Sequence, residues 1–526
     1  MGLPVVMRRL ALLLAALSTA AEQVTIGGAL RRMKIADRFV GATLDWWPSS
    51  KPSPNPGATL PWVNASILNV DLANPALRGA AKALAPFILR IGGSLADQVV
   101  YEASCEGEGF VENASAYRSF AYSGGCVEFS RVHAALDFCA DVGCDVAFGL
   151  NFLAGRAPAP GTRERWRGAW DPSNAVALLR ELRGRGVTPY AFELGNEVDA
   201  TAGIAAKLNA SETTAGFLEL RRAVDALWGD GARPLLFGPD ASGFDNDVFM
   251  PALLAEDDAP LDALTYHMYF LGSGNSSEVP REVVNATYLN ELAPRVAGHE
   301  AVVAARAPGL PLILGECGGA WNSGQHGVTD AFASGFWWLD YLGTLAVHGH
   351  DAVFRQALVG GNYGLLADGA YAARPDLFSS VLWRQLFGDV VLNASTSAGA
   401  GGSGRQGDLR TYAACARAAP RLPLPGALGG GSVAVAAINL AAKPVNVSLD
   451  AVGPRWVWLL TAAGAASAPA ALLNGAPLPE ALTPEMPPLP PAVAAAGAVE
   501  LPARSYAFLL LPNAGHAACD ALTAGL

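Results

Sequence analysis

Between about residues 39 and 390, short apolar runs alternate with longer Ala- and Leu-rich segments, and this alternation constrains the fold more than any other feature. The runs lie at 39–44, 87–91, 145–150, 190–194, 234–238, 261–266, 311–314 and 352–356. Most intervening segments, such as 132–142, 174–184 and 217–227, carry apolar residues at three- and four-residue spacing, the mark of a helix with one buried face. Eight strand-then-helix units imply a (β/α)8 barrel, expected over residues 39–392. An open doubly wound sheet is the rival. Its nucleotide-binding form lacks its marker here, since no G-x-G-x-x-G and no Walker lysine follow the first run.

The texture then changes. Residues 393–408 are rich in Gly, Ser and Ala and are expected to be a linker. Beyond them the apolar runs at 409–415, 433–439, 456–460 and 506–511 are short, separated by turn residues and without helical period. Residues 409–526 therefore read as an all-β accessory domain, a sandwich, with a Pro-rich surface loop at 477–491. The segment 22–38 precedes the barrel, and its residues 23–26 are expected to add a strand to that sandwich.

Composition excludes some classes of function. Of 526 residues, 51% are hydrophobic and 16% charged, which is incompatible with an intrinsically disordered chain. Lys and Arg number 36 against 47 acidic residues, a net charge of -11 without a basic cluster, so a nucleic-acid partner is not expected. Residues 1–21 read as a secretory signal: Arg8 and Arg9, then an apolar stretch from Leu10 to Leu17, then small residues around Ala20 and Ala21. That stretch is about half the roughly 20 residues needed to span a bilayer. Sequons at Asn64, Asn113, Asn209, Asn275, Asn285, Asn393 and Asn446 agree with a secretory route, ending outside the cell or in a lysosome or vacuole. Seven cysteines leave at least one unpaired. Cys105 and Cys126 flank a polar loop and are the first disulfide candidate, with Cys139 and Cys144 the second. The latter spacing also suits a metal, but no second Cys/His pair lies nearby, so no metal site is expected.

Catalytic groups of such a barrel gather where its strands end. Glu197 follows the fourth run in Glu193-Leu194-Gly195-Asn196-Glu197, and Glu316 closes the seventh in Leu312-Ile313-Leu314-Gly315-Glu316. Retaining hydrolysis of a glycosidic bond needs two carboxyls about 5–5.5 Å apart, one to protonate the leaving oxygen and one to attack the anomeric carbon. Glu197 is the candidate acid/base and Glu316 the candidate nucleophile. Asn196 suits a hydrogen bond to a sugar 2-hydroxyl. Glu193 reads as a member of an inward polar network at the barrel mouth. His267 and Tyr269 share one face after the sixth run, where a tyrosine hydroxyl is placed to donate to the nucleophile. Trp46, Trp47 and Trp321 are candidates for stacking on sugar, whereas Trp337 and Trp338, in a helix-like run, read as core. Two carboxyls suffice for this chemistry, so no metal or organic cofactor is implied.

These motifs carry a resemblance. Ala42-Thr43-Leu44-Asp45-Trp46-Trp47-Pro48, the run from Leu89-Arg90-Ile91-Gly92-Gly93-Ser94 to Tyr101, Glu193 to Glu197, Gly315-Glu316-Cys317-Gly318-Gly319-Ala320-Trp321-Asn322-Ser323-Gly324, Arg355-Gln356 and Gly360-Gly361-Asn362-Tyr363-Gly364 resemble plant heparanase-like members of glycoside hydrolase family 79. They fall in order across roughly 38–395. The resemblance implies a retaining β-glucuronidase with Glu197 as proton donor and Glu316 as nucleophile. It places Asp45, Asn196, Tyr269, Gln356 and Tyr363 around a bound glucuronate, with Tyr363 and backbone amides near Asn322 and Ser323 at the sugar carboxylate. The animal members carry glycines at these last two positions, and Trp321 replaces a usual tyrosine.

The resemblance also implies a single chain, because the long excised insert of animal heparanase is represented only by the short loop between Cys105 and Cys126. Heparan sulfate calls for basic clusters, which are missing at this net charge, so unsulfated glucuronides fit better. The expected partner is thus a glucuronate-containing glycan or small glucuronide, bound by a monomer, with peripheral membrane association left open. The alternatives are a retaining β-glycosidase of other sugar specificity and a non-catalytic carbohydrate-binding or adhesion protein.

Overall fold

The computed structural model describes residues 21–51, 61–105, 125–162, 165–200, 206–229, 231–255, 260–397, 406–450 and 453–520. The signal segment 1–20, Asn113 and residues 398–405 of the expected linker lie outside them. Strands Val40–Leu44, Phe87–Ile91, Cys144–Leu150, Ala191–Leu194, Leu235–Ala241, Ala263–His267, Leu312–Cys317 and His350–Arg355 close into a barrel in chain order. Every pairing is parallel, and Val353 of the eighth strand meets Val40 of the first. The (β/α)8 expectation is met, each strand overlapping its expected run.

The barrel interior is built in layers by the two-residue period of the strands. Ile88, Ala147, Ala191, Phe237, Ala263, Ile313, Ala352 and Phe354 form a closed apolar layer. Two phenylalanines fill a space that alanines elsewhere leave open. Gly41 completes the fit, because a Cβ there would stand 2.3 Å from the Phe354 ring. Truncating Phe354 would cost about 3–5 kcal/mol, since the cavity has no neighbour free to collapse into it. Two residues further along the same strands the inward positions are Arg90, Glu193 and Thr265, then His267. A dry floor thus carries a polar layer at the carboxyl-end mouth.

The second region is one hydrogen-bonded sheet of eleven strands. Glu22–Arg32 lies inside it, antiparallel to Phe387–Thr396 and parallel to Val445–Leu449. Along Val433–Asn439, Ala434, Ala436 and Ile438 face the core shared with the barrel helices, while Val433, Val435 and Ala437 face a second core with Val447, Leu449 and Leu501. End strands and central strands meet in that second core, so the sheet curls over itself instead of forming two separately bonded sheets. Buried Arg410 of Leu409–Ala416 bridges to Asp340 of the barrel helix Ser334–Val347, and the Tyr412 hydroxyl donates to the same carboxylate.

Two expectations need correction. Phe387–Thr396 is a sheet strand that runs through the expected boundary at 392 and into the expected linker. Helix Pro375–Leu386 passes straight into it, Phe387 already being extended, with no turn residue to mark the change. The stretch 477–491 is not wholly on the surface: Leu489 is buried and its carbonyl accepts from Trp458 Nε1 at 2.8 Å. A third disulfide, Cys415–Cys519, joins Cys105–Cys126 and Cys139–Cys144, leaving Cys317 free and buried among the described residues. Asn64, Asn209, Asn275 and Asn285 are exposed, and Asn393 and Asn446 are half-buried. No helix among the described residues is long and apolar enough to cross a membrane.

Candidate active site

Arg90, on the second barrel strand, is the hub of the mouth. It is fully buried, and a buried guanidinium must be matched by acceptors. It donates to Glu193 at 2.7 Å, Asn196 Oδ1 at 2.8 Å, Glu316 Oε2 at 2.9 Å and Asp240 at 3.0 Å. The turn after Arg90 fits around these groups. A Cβ on Gly92 would stand 2.7 Å from the guanidinium carbon, and one on Gly93, at φ +128°, would stand 2.5 Å from Asp45 Oδ1.

The protons in this layer follow from burial and neighbours. Burial opposes ionisation of Asp240, but Arg90 and the hydrogen bonds from His267 and Glu193 outweigh it and hold Asp240 well below the usual carboxylate range. Glu193 is pushed far up by burial and by Asp240, despite Arg90. A protonated Glu193 donating to Asp240 supplies a partner to Glu193 Oε1, which otherwise has none. Burial works against charge on His267, yet Glu316, Asp240 and Glu197 raise it to about 10, so it is an imidazolium. Two cations, Arg90 and His267, then balance the carboxylates of Asp240 and Glu316.

Glu197 and Glu316 face each other above this layer. Glu197 stands at φ +55° just beyond the fourth strand, its backbone N–H held by the Asp240 carbonyl at 2.8 Å. Its Oε1 accepts from His267 Nδ1 at 2.9 Å, and His267 Nε2 lies 3.6 Å from Asp240. Glu316 Oε1 accepts from the Tyr269 hydroxyl at 2.5 Å while its Oε2 takes Arg90. Burial and Glu316 push the Tyr269 phenol far up, so it remains a donor. One oxygen of Glu197 and one of Glu316 lie within 4.8 Å of each other.

A cleft of about 850 Å³ opens over the pair. On the arc formed by the seventh, eighth and first strands, its wall is Glu316, Asn322, Ser323, Gln356, Tyr363, Asp45, Trp47 and Lys51. Gln356 Nε2 donates to Asp45 Oδ2 at 2.7 Å, and its Oε1 accepts from Thr43. Asn322 and Ser323 adopt φ +61° and +62°. This is the left-handed geometry glycine favours, adopted here by two residues that are not glycine. Trp62 Nε1 donates to Ser323 Oγ at 3.1 Å, and its ring meets Tyr363 edge-on at 6.2 Å.

Asp45, Glu197, His267, Tyr269, Glu316, Asn322, Ser323, Gln356 and Tyr363 thus come together in one cleft. Asn196 lies behind it, its Oδ1 engaged by Arg90 and its Nδ2 3.5 Å from Ser94 at the cleft edge. His267, expected to touch substrate, lines the cleft but is fully buried, with its Nδ1 bonded to Glu197. Trp46 is corrected. It is wholly buried and packs edge-on against Phe148, whereas Trp321 is 47% exposed at the rim. Sequence reasoning passed over Arg90, Asp240 and Lys51. A lone arginine in the apolar run Phe87–Ile91 was a legible signal, because such a charge requires buried anions.

The comparisons with known proteins agree. A model of the glycosyl hydrolase family 79 N-terminal domain matches residues 21–343. Heparanase-like protein 1 of Arabidopsis thaliana is 34% identical over 403 residues, 75% of this chain and 70% of that protein. The baicalin-beta-D-glucuronidase of Scutellaria baicalensis is 33% identical over 379 residues, 68% of this chain and 69% of its own. Among solved structures, a 4-O-alpha-L-rhamnosyl-beta-D-glucuronidase from Fusarium oxysporum superposes with a TM-score of 0.64 at 15% identity, covering 93% of this chain and 100% of that one. The GH51 arabinofuranosidase of Xanthomonas axonopodis pv. citri gives 0.61 at 16% identity, covering 93% and 99%, so both share the fold. The family model spans more than half of the sequence and relatives a third identical align along two thirds of it: the chain belongs to glycosyl hydrolase family 79.

Proposed function

We propose that the chain is a retaining β-glucuronidase acting on unsulfated glucuronides, with Glu316 as nucleophile and Glu197 as acid/base. The carrying observation is the approach of the two carboxyls to within 4.8 Å. This suits a retaining pair at about 5–5.5 Å and leaves no room for the water of an inverting pair, which needs at least about 6.5 Å. Glu316, paired with Arg90 and steadied by Tyr269, attacks the anomeric carbon. Glu197 gives its proton to the departing oxygen, and a glycosyl ester forms on Glu316. A water then yields its proton to Glu197 and attacks the same carbon, releasing the Glu316 carboxylate and glucuronate. His267 holds the Glu197 carboxyl toward the bond, and Arg90 fixes the Asn196 amide behind the cleft. The baicalin and heparanase-like relatives support the uronide assignment. The net charge of -11 favours unsulfated substrates. Three disulfides support a secretory route.

A panel of 4-nitrophenyl β-glycosides tests this reading. Glucuronide should be cleaved in preference to glucoside and galactoside, and Glu316→Gln and Glu197→Gln should each lose most turnover. Cleavage of a neutral glycoside alone, or wild-type turnover in both variants, would overturn it.

A further inference from the structure

The described wall residues of the cleft include a lysine and an arginine on opposite sides. Arg295 stands with Ser242, Phe244, Asn246 and His299, beyond the fifth and sixth strands, on the Glu197 side where the leaving group departs. Lys51 follows the first strand on the Glu316 side, where the glycone must sit for attack. Its ammonium lies 3.2 Å from the Trp47 ring centroid and 5.5 Å from that of Trp62. Trp62 in turn holds Ser323 and packs on Tyr363. The lysine therefore belongs to the same corner as the Ser323 and Tyr363 side chains.

We infer that Lys51 is a specificity-determining residue whose ammonium pairs with the carboxylate of the bound sugar, selecting a uronic acid over the neutral hexose. The inference rests on the glucuronidase reading and deepens it. The physical reason is an imbalance at the ammonium. The side chain is half-buried against two indoles, which replace water only in part. Burial pushes its pKa down to about 7, although Asp45 and Glu316 pull it up. An entering carboxylate supplies the acceptor that the indoles cannot. A neutral hydroxymethyl group would leave the ammonium as poorly solvated as before.

The test uses the full chain as wild type, Lys51→Met and Lys51→Arg. Methionine keeps the length and the contact with Trp47 but removes the charge. KM and kcat are measured on 4-nitrophenyl β-D-glucuronide, and inhibition constants on two isofagomines that differ only in carrying a carboxylate or a hydroxymethyl group. In Lys51→Met, the glucuronide KM and the acidic inhibitor's constant should rise about 10- to 100-fold, the range for losing a charge-assisted hydrogen bond. The neutral inhibitor should change less than about threefold, kcat should change less than KM, and arginine should restore part of the loss. Equal shifts for both inhibitors would mean that Lys51 only tunes the carboxylates, and would overturn the inference. So would an unchanged acidic inhibitor, or a wild type that binds the neutral inhibitor as tightly as the acidic one. Failure of the glucuronidase reading shows differently, as a wild type that hydrolyses no glucuronide.

Discussion

Replacing Arg90 is the sharpest perturbation of the proposed machinery. Its guanidinium serves four acceptors between 2.7 and 3.0 Å, and three belong to Glu193, Asp240 and Glu316, which are 0%, 1% and 10% exposed. In Arg90→Met the carboxylates of Asp240 and Glu316 would lose the cation that bonds them both. Removing one partner of a buried ion pair costs about 3–5 kcal/mol, because the other charge stays desolvated. In a chain of 526 residues that corresponds to a fall in Tm of about 3–5 °C. Arg90→Lys retains the charge, but an ammonium has three donors and no planar fork, so it cannot hold the four acceptors in place. That variant should fold with a smaller loss of about 1–3 kcal/mol, the value of one or two charged hydrogen bonds. Its kcat/KM should nevertheless fall about 10²- to 10³-fold, since Glu316 loses its alignment with the anomeric carbon. Thermal unfolding and steady-state kinetics on an aryl glucuronide check both effects. A lysine variant within tenfold of wild-type kcat/KM, or a methionine variant with unchanged Tm, would refute the role of Arg90 as the charge hub.

Other consequences are as direct. Tyr269→Phe removes the 2.5 Å hydrogen bond to Glu316, and kcat should fall about 10- to 100-fold with little change in KM. Replacing Cys415 and Cys519 by alanine opens a bridge between residues 104 apart, and calorimetry should report a loss approaching about 4–5 kcal/mol with kcat unchanged. His299, stacked on Phe244, is held down to about 4 by burial and by Arg295. A depressed histidine contributes stability above its unfolded value of about 6.5 that is lost as pH falls toward 4. The fall in wild-type Tm across that window should therefore be smaller in His299→Gln.

The barrel was legible because each of its strands is a short apolar run followed by a helical period, and eight such units leave little choice of architecture. The two glutamates were legible because position at a strand end carries chemical meaning in that architecture. Other features depend on proximity that no spacing records. The Cys415–Cys519 bridge joins a strand to the short helix Ala517–Asp520, far along the chain. Lys51 sits in a loop whose neighbours, Trp62 and the Glu316 wall, come from other parts of the barrel. Trp46 looked like a sugar platform because it follows a strand end, yet the chain turns it inward against Phe148. The left-handed backbone at Asn322 and Ser323 is only weakly signalled, because Asn enters that region more readily than most residues but Ser does not.

The measurement that bears most directly on the proposed chemistry is the anomeric form of the first product. Proton NMR during hydrolysis of 4-nitrophenyl β-D-glucuronide should show β-glucuronate first, with the α anomer growing only at the rate of mutarotation. Initial release of α-glucuronate, or no release of glucuronate, would contradict the assignment of Glu316 as a nucleophile and Glu197 as its acid/base partner.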